Sequence, residues 1–320
     1  MTRPELSLVV VVHRMSRQAA NTLRSLSAAY QRSVSSDDYE VVVVENRSDD
    51  LLGEAAALSA GPNFRYVLRD EPGVSPAPAL NHGVRVAHAE RLGLLVDGAR
   101  LVTPRVVEYS LLAGRMDPRS LVVVPGFHLG SEEQQRSPDH DAAREQALLA
   151  SVGWPSDGYR IFEISVPSSA NPHGPFHPFM ESNCLFCARA DLEQVGGVDE
   201  RFDLPGGGSV NLWLYRRLAL LPGTRLVVLP GEGSFHQAHG GVTTTPAPEL
   251  PEVLQSHREQ LARLLGHPFE APRREPLLLG AVTSHAQAWL RRGAERAEAR
   301  FTRFRAEGRQ AWSDDPDPTE

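Results

Sequence analysis

The residues able to do chemistry in this chain stand at a few separated places. His13, Glu45, Asp70 and Asp97 each follow a short apolar run. Asp97 opens Asp97-Gly98-Ala99-Arg100, an acid and a guanidinium three apart, which suits a cation or a phosphate and also suits an ordinary turn. His236 and His239 lie three apart among glycines in Gly231-Glu-Gly-Ser-Phe-His-Gln-Ala-His-Gly-Gly, a spacing that fits a metal or phosphate site as well as a structural loop. Gly206-Gly207-Gly208 precede a helical run, where backbone amides can approach a phosphate. Cys184 and Cys187 have a metal-like spacing with His173 and His177 as the only near partners, but the apolar residues around them read better as a buried strand.

Composition narrows the chemistry. The 320 residues contain no lysine, which removes Schiff-base and Walker-lysine mechanisms. A net charge of -7 and two cysteines argue against a nucleic-acid binder and against a disulfide framework. No apolar run is long enough to span a bilayer, and Met-Thr-Arg-Pro-Glu leads straight into a strand, so the expectation is a soluble, cytoplasmic protein.

These residues must be positioned by alternating strands and helices. Continuous β-branched or apolar runs at Leu6–Val12, Glu40–Val44, Phe64–Leu68 and Leu92–Val96 alternate with helical spacing at Arg17–Tyr30, Leu51–Leu58 and Ala79–Ala89. Such alternation predicts a parallel sheet covered on both faces. Ligands bind outside the carboxyl ends of such strands, which is where His13, Glu45, Asp70 and Asp97 fall. Further strands are expected at Leu121–Val124, Met180–Ala188 and Arg225–Leu229, and further helices at Asp191–Val195 and Val210–Leu220. Residues 131–171, polar and broken by Pro and Gly, read as an inserted segment. Helices at Glu252–Leu265 and from Leu277 to about Arg309 end in an acidic tail, Asp314–Glu320.

Several of these pieces, in this order, resemble family 2 glycosyltransferases of the GT-A fold. They are Leu6-Ser-Leu-Val-Val-Val-Val-His-Arg-Met, Tyr39-Glu-Val-Val-Val-Val-Glu-Asn-Arg-Ser, Asn81-His-Gly-Val-Arg-Val-Ala and Gly196-Gly-Val-Asp-Glu-Arg-Phe. The resemblance implies a doubly wound, mainly parallel α/β domain over residues 1–245, with a helical extension over 246–320. It also implies transfer of a sugar from a nucleotide-sugar to an acceptor hydroxyl, with inversion, the acceptor being a glycan, a lipid-linked molecule or a small molecule. A GT-A-like domain that binds a nucleotide or glycan without turnover is the alternative.

By the same resemblance, Glu45 would lie near the base and ribose, Asp70 would close the other side of the base, Asn81 would line the pocket, and Ser75 would belong to a nucleotide-contacting loop. The family ends its fourth strand with an acid cluster holding a divalent cation, Mn or Mg, on the donor diphosphate; only Asp97 remains of it here. Either Arg100 neutralises phosphate directly, or His236 joins Asp97 as a ligand, as a late histidine does in GT-A enzymes. Asp-Gly-Ala-Arg, the triple glycine and the Phe-His-Gln-x-His-Gly-Gly stretch resemble the signature of a bacterial subgroup. Inverting transfer also needs a carboxylate base. Where the family supplies a Glu-Asp pair, this chain reads Gly208-Ser209-Val210-Asn211, which leaves Asp203, the preferred candidate, and Glu181.

Overall fold

The computed structural model describes residues 3–70, 73–137, 139–171, 173–309 and 312, so the acidic tail Asp314–Glu320 lies outside the described residues. The elements run β1 (Leu6–Val12), α1 (Ser16–Leu26), β2 (Tyr39–Asn46), α2 (Glu54–Leu58), β3 (Phe64–Arg69), α3 (Ala77–Val86) and β4 (Arg91–Leu95). After them come β5 (Arg100–Val102), α4 (Val106–Met116), β6 (Ser120–Val123), β7 (Gly126–Leu129), α5 (Ala142–Ser151), β8 (Ser165–Pro167) and β9 (Cys184–Ala188). The chain continues through α6 (Arg189–Gln194), α7 (Val210–Leu220), β10 (Arg225–Val228), β11 (Ser234–His236), α8 (Leu250–Leu265), β12 (Leu277–Leu278) and α9 (Gln287–Ala306).

Eight strands form one sheet in the order β12-β10-β6-β9-β4-β1-β2-β3. All its pairings are parallel except those of β9, which runs antiparallel between β4 and β6. Every residue of β1 and β2 is buried, as strands covered by helices on both faces require. The alternation of side chains splits the core in two: Val9, Val11, Val42 and Val44 pack on one face, and Leu8, Val10, Val41 and Val43 on the other. Cys184 and Cys187 point to these opposite faces as free, buried thiols, and burial pushes both up to about 12, so they are packing residues and not a metal pair.

A second sheet, β5-β11-β7-β8, stands beside the first. Its strands are three or four residues long, and their register places Leu101, Phe235 and Phe127 side by side. Phe127 and Phe235 stack at 5.0 Å, and Phe162 and Trp289 meet Phe127 edge-on at 5.1 and 5.3 Å. The other row of the same register is Arg100, His236 and His128. Burying the aromatic face therefore fixes the direction of the polar one.

The described residues of 131–171 form α5, two 3₁₀ turns and β8, the last an edge strand of the small sheet. Some expected boundaries change. The strand expected from Met180 begins at Cys184. The helix expected from Leu277 begins at Gln287, and Leu277–Leu278 instead pairs with β10 at the sheet edge. The remaining small-sheet strands and α4 complete what periodicity did not reveal. Among the described residues no helix is long and apolar enough to cross a membrane.

Candidate functional site

A cleft of about 1120 Å³ opens along the carboxyl ends of β1, β2 and β4 and is walled on its far side by the small sheet and α8. Asp97 lies in the turn between β4 and β5. Gly98 makes that turn fit, because a Cβ there would stand 2.4 Å from the Val11 carbonyl oxygen. Asp97 Oδ1 accepts the Ala99 N–H at 2.9 Å, which leaves Oδ2 for the cleft.

Around Oδ2 stand two histidines. His236 Nε2 is 2.9 Å from it and His239 Nε2 3.4 Å, and the two nitrogens are 3.1 Å apart. Ligand atoms held about 2.1 Å from one ion stand roughly 3.0–3.4 Å from each other, so one carboxylate and two imidazoles here have the spacing of a cation site. Burial works against charge on all three. It would raise the Asp97 carboxyl, but its contacts with His239 and then His236 hold it well below the usual range. Burial takes His236 down to about 3 despite Asp97, which favours the neutral imidazole that a ligand needs. For His239, burial is outweighed by Asp97 and the value rises.

The histidine loop is clamped from two sides. The Ala238 N–H donates to Glu145 Oε2 at 2.6 Å, and the Ala238 carbonyl accepts from Arg17 at 3.1 Å and from Gln18. Arg17 in turn pairs with Glu145 at 3.0 Å. Gln237 is held by Asn21 and by the Gln18 carbonyl. On the His236 side, Gln134 bonds both the ring and the backbone carbonyl.

The residues singled out in the sequence are placed as follows. His13, Ser75, Asp97, Arg100, Glu181 and His236 all line the cleft. Ser75 donates to the Phe202 carbonyl at 2.6 Å, tying the loop after β3 to the loop before the triple glycine. Arg100 is buried, its Nε has no hydrogen-bond partner, and it lies 4.0 Å from Asp97 Oδ2. Burial raises the Glu181 carboxyl, with Arg100 pulling the other way. Four residues are outside the cleft lining. Glu45 is buried and accepts from the Leu52 and Gly53 amides and the Tyr66 hydroxyl, so β2 presents its neighbour Asn46 to the cleft. Asp70 is exposed and pairs with Arg47. Asn81 joins α3 to Val198 and Glu200. Asp203 is exposed and accepts from Gln260 at 2.9 Å, while its neighbours Pro205, Gly206 and Gly208 reach the cleft. Gly206, Gly207 and Gly208 all have positive φ, the backbone that only glycine adopts without strain.

No protein-family model matches the sequence, and no curated protein matches it. Solved structures do resemble it. S. aureus TarS superposes with a TM-score of 0.51 at 15% identity, over 95% of this chain and 45% of that one, so the chain spans less than half of that TarS chain. TarS 1-349 in complex with UDP-GlcNAc gives 0.52 at 13% identity, over 95% and 74% of the two chains. The fold is of the GT-A type. The neighbours that share it are glycosyltransferases.

His239 completes the cluster that Asp97 and His236 begin, and its three-residue spacing from His236 was the signal available for it. Gln134 and Glu145 carry no such signal. They lie in a polar stretch without periodicity, and only the folded chain brings them to the histidines.

Proposed function

We propose that this chain is a cation-assisted glycosyltransferase that moves a sugar from a nucleotide-sugar to an acceptor hydroxyl with inversion. The observation that carries the reading is the convergence of Asp97, His236 and His239 on one point of a cleft at the strand ends of a GT-A fold. UDP-GlcNAc in the TarS 1-349 complex supports a nucleotide-sugar as donor.

The nucleotide end of the donor fits against His13, Asn46 and Ser75 at the ends of β1 and β2 and in the loop after β3. Asp97, His236 and His239 would hold the cation, which supplies charge neutralisation to the donor diphosphate. Two imidazoles in the ligand set favour Mn over Mg, because magnesium prefers oxygen ligands. Arg100, beside Asp97 and short of a hydrogen bond, adds fixed positive charge at the same place.

Glu181 is the base in this reading. It lines the cleft, and burial raises its carboxyl toward the range a base needs near neutral pH. It takes the acceptor proton, the acceptor oxygen bonds to the anomeric carbon from the far side, and the bond to the diphosphate breaks with the nucleoside diphosphate leaving. Asp203, bonded to Gln260 outside the cleft lining, is set aside for this role. The acceptor is a glycan, a lipid-linked molecule or a small hydroxyl compound.

Calorimetric titration with UDP, GDP and dTDP, each with and without manganese, tests the reading. One nucleotide should bind, more tightly with manganese. Absence of binding in all six conditions would sink it, and binding without donor turnover in the presence of any acceptor would leave only a nucleotide-binding domain.

A further inference from the structure

The Gln134 side chain reaches His236 twice. Its Nε2 donates to the His236 backbone carbonyl at 2.9 Å, and its Oε1 lies against the His236 ring Nδ1. A backbone carbonyl can only accept, so the amide group of Gln134 must face it, and the carbonyl oxygen of Gln134 must face the ring. That oxygen is an acceptor, so Nδ1 carries the ring proton. A cation can take only a bare Nε2, and Nε2 is the atom 2.9 Å from Asp97 Oδ2 and 3.1 Å from His239 Nε2, so the ligating ring must keep its proton on Nδ1. A residue 102 positions away thus favours the tautomer that a cation at the cluster requires.

Glu145 acts on the next peptide. Its carboxylate holds the Ala238 N–H at 2.6 Å, between the two histidines, and Arg17, paired with Glu145 at 3.0 Å, holds the Ala238 carbonyl. Gln134 and Glu145 are both buried, and both come from residues 131–171. This segment therefore contributes no atom to the ligand set itself, yet it grips the histidine loop at the ring and at the backbone.

We infer that residues 131–171 help to prepare the cation site, with Gln134 setting the tautomer of His236 and Glu145, backed by Arg17 of α1, fixing the span from His236 to His239. The inference rests on the reading of Asp97, His236 and His239 as cation ligands. Both residues are positioning residues. Outer partners of a ligating histidine change metal affinity by about 10- to 100-fold when removed, so Gln134→Leu should weaken Mn binding at least about tenfold. Gln134→Glu keeps an acceptor opposite Nδ1 but loses the donor to the His236 carbonyl, and should restore only part of it.

The test has two readouts that do not depend on turnover. Ring ¹⁵N chemical shifts of the metal-free wild-type protein report whether His236 Nδ1 carries a proton, expected in wild type and lost in Gln134→Leu, where the ring can turn its proton to Asp97. Manganese affinity, followed by the electron spin resonance of free Mn without any donor, should fall in Gln134→Leu and recover in part in Gln134→Glu. An unprotonated Nδ1 in the wild type overturns the inference, as does a folded Gln134→Leu protein that binds Mn as tightly as wild type. Wild-type protein that takes up no Mn, with or without nucleotide, overturns the cation reading itself. A tautomer that nonetheless follows Gln134 would separate that failure from failure of the positioning role.

Discussion

The eight-stranded and four-stranded sheets meet at Asp97, between β4 and β5, and they hold their sides of the cleft by different means. The large sheet is apolar on both faces and offers the cleft what stands at or just past its strand ends, such as His13 and Asn46. The small sheet has one face of each kind. Leu101, Phe235 and Phe127 are buried, and the residues alternating with them, Arg100, His236 and His128, are turned toward the cleft. Polar groups on the first side are placed by turns, and those on the second by the packing of their apolar neighbours. The reacting groups should therefore depend on the small sheet far more than on the strand-end loops.

The largest effect expected is at the junction itself. Asp97→Ala removes the only carboxylate among the three clustered ligands, and the several kcal/mol that a Lewis acid contributes correspond to a loss of transfer of about 10⁴-fold. Release of nucleoside diphosphate from the donor, measured across manganese concentrations, checks this. Activity within tenfold of wild type would mean that the two sheets meet at a turn and not at a cation site.

Glu181→Gln comes next. Loss of a general base lowers turnover by roughly 10²–10³-fold, with donor affinity unchanged if Glu181 meets only the acceptor. A kcat fall at constant donor KM supports the role. If Asp203→Asn, remote from the cleft lining, gives the larger fall, the base lies on the other loop and the assignment is reversed.

How far these parts could be read beforehand follows from the same contrast. Runs such as Leu6–Val12 and Tyr39–Asn46 are long, continuous and separated by helical spacing, so that they are strands of a parallel sheet follows from local pattern, while their order in the sheet does not. Arg100–Val102, Gly126–Leu129 and Ser234–His236 are too short to show a period, and their pairing joins residues more than a hundred positions apart. Asp97 and His236 were visible as residue types. That His236 depends on Gln134 was not, because nothing local marks it. At the end of β2 adjacent residues face opposite ways, so it is Asn46, beside Glu45, that lines the cleft.

A third test reaches the small sheet through proton linkage. Glu232 precedes β11, is buried, and accepts from the Tyr159 hydroxyl at 2.8 Å, joining residues 131–171 to that strand. Burial raises its carboxyl to about 7, against hydrogen bonds from Thr103 and Tyr159 that lower it. The folded chain thus holds this proton more tightly than the unfolded chain does. Stability from this group is greatest below about pH 4.5 and is lost as pH rises to about 7, a change on the order of 3 kcal/mol. Glu232→Gln should flatten that slope, seen as denaturation midpoints that differ less between pH 5 and pH 8 than in wild type. An unchanged slope would show that the carboxylate is stabilised as an anion and that the segment is not tied to β11 in this way.

The smallest effect belongs to the strand-end loops. Asp70 and Arg47 form an exposed pair, and such pairs contribute about 0.2–1 kcal/mol, less in salt. Asp70→Ala should leave the melting temperature nearly unchanged, and that makes it a clean probe of ligand contact. With no structural role to lose, any drop in nucleotide affinity must come from the nucleotide. A severalfold drop places Asp70 beside the base. If affinity is unchanged while Asn46→Ala weakens it, the nucleotide is held by the residue β2 turns into the cleft, and the loop after β3 serves through Ser75 alone.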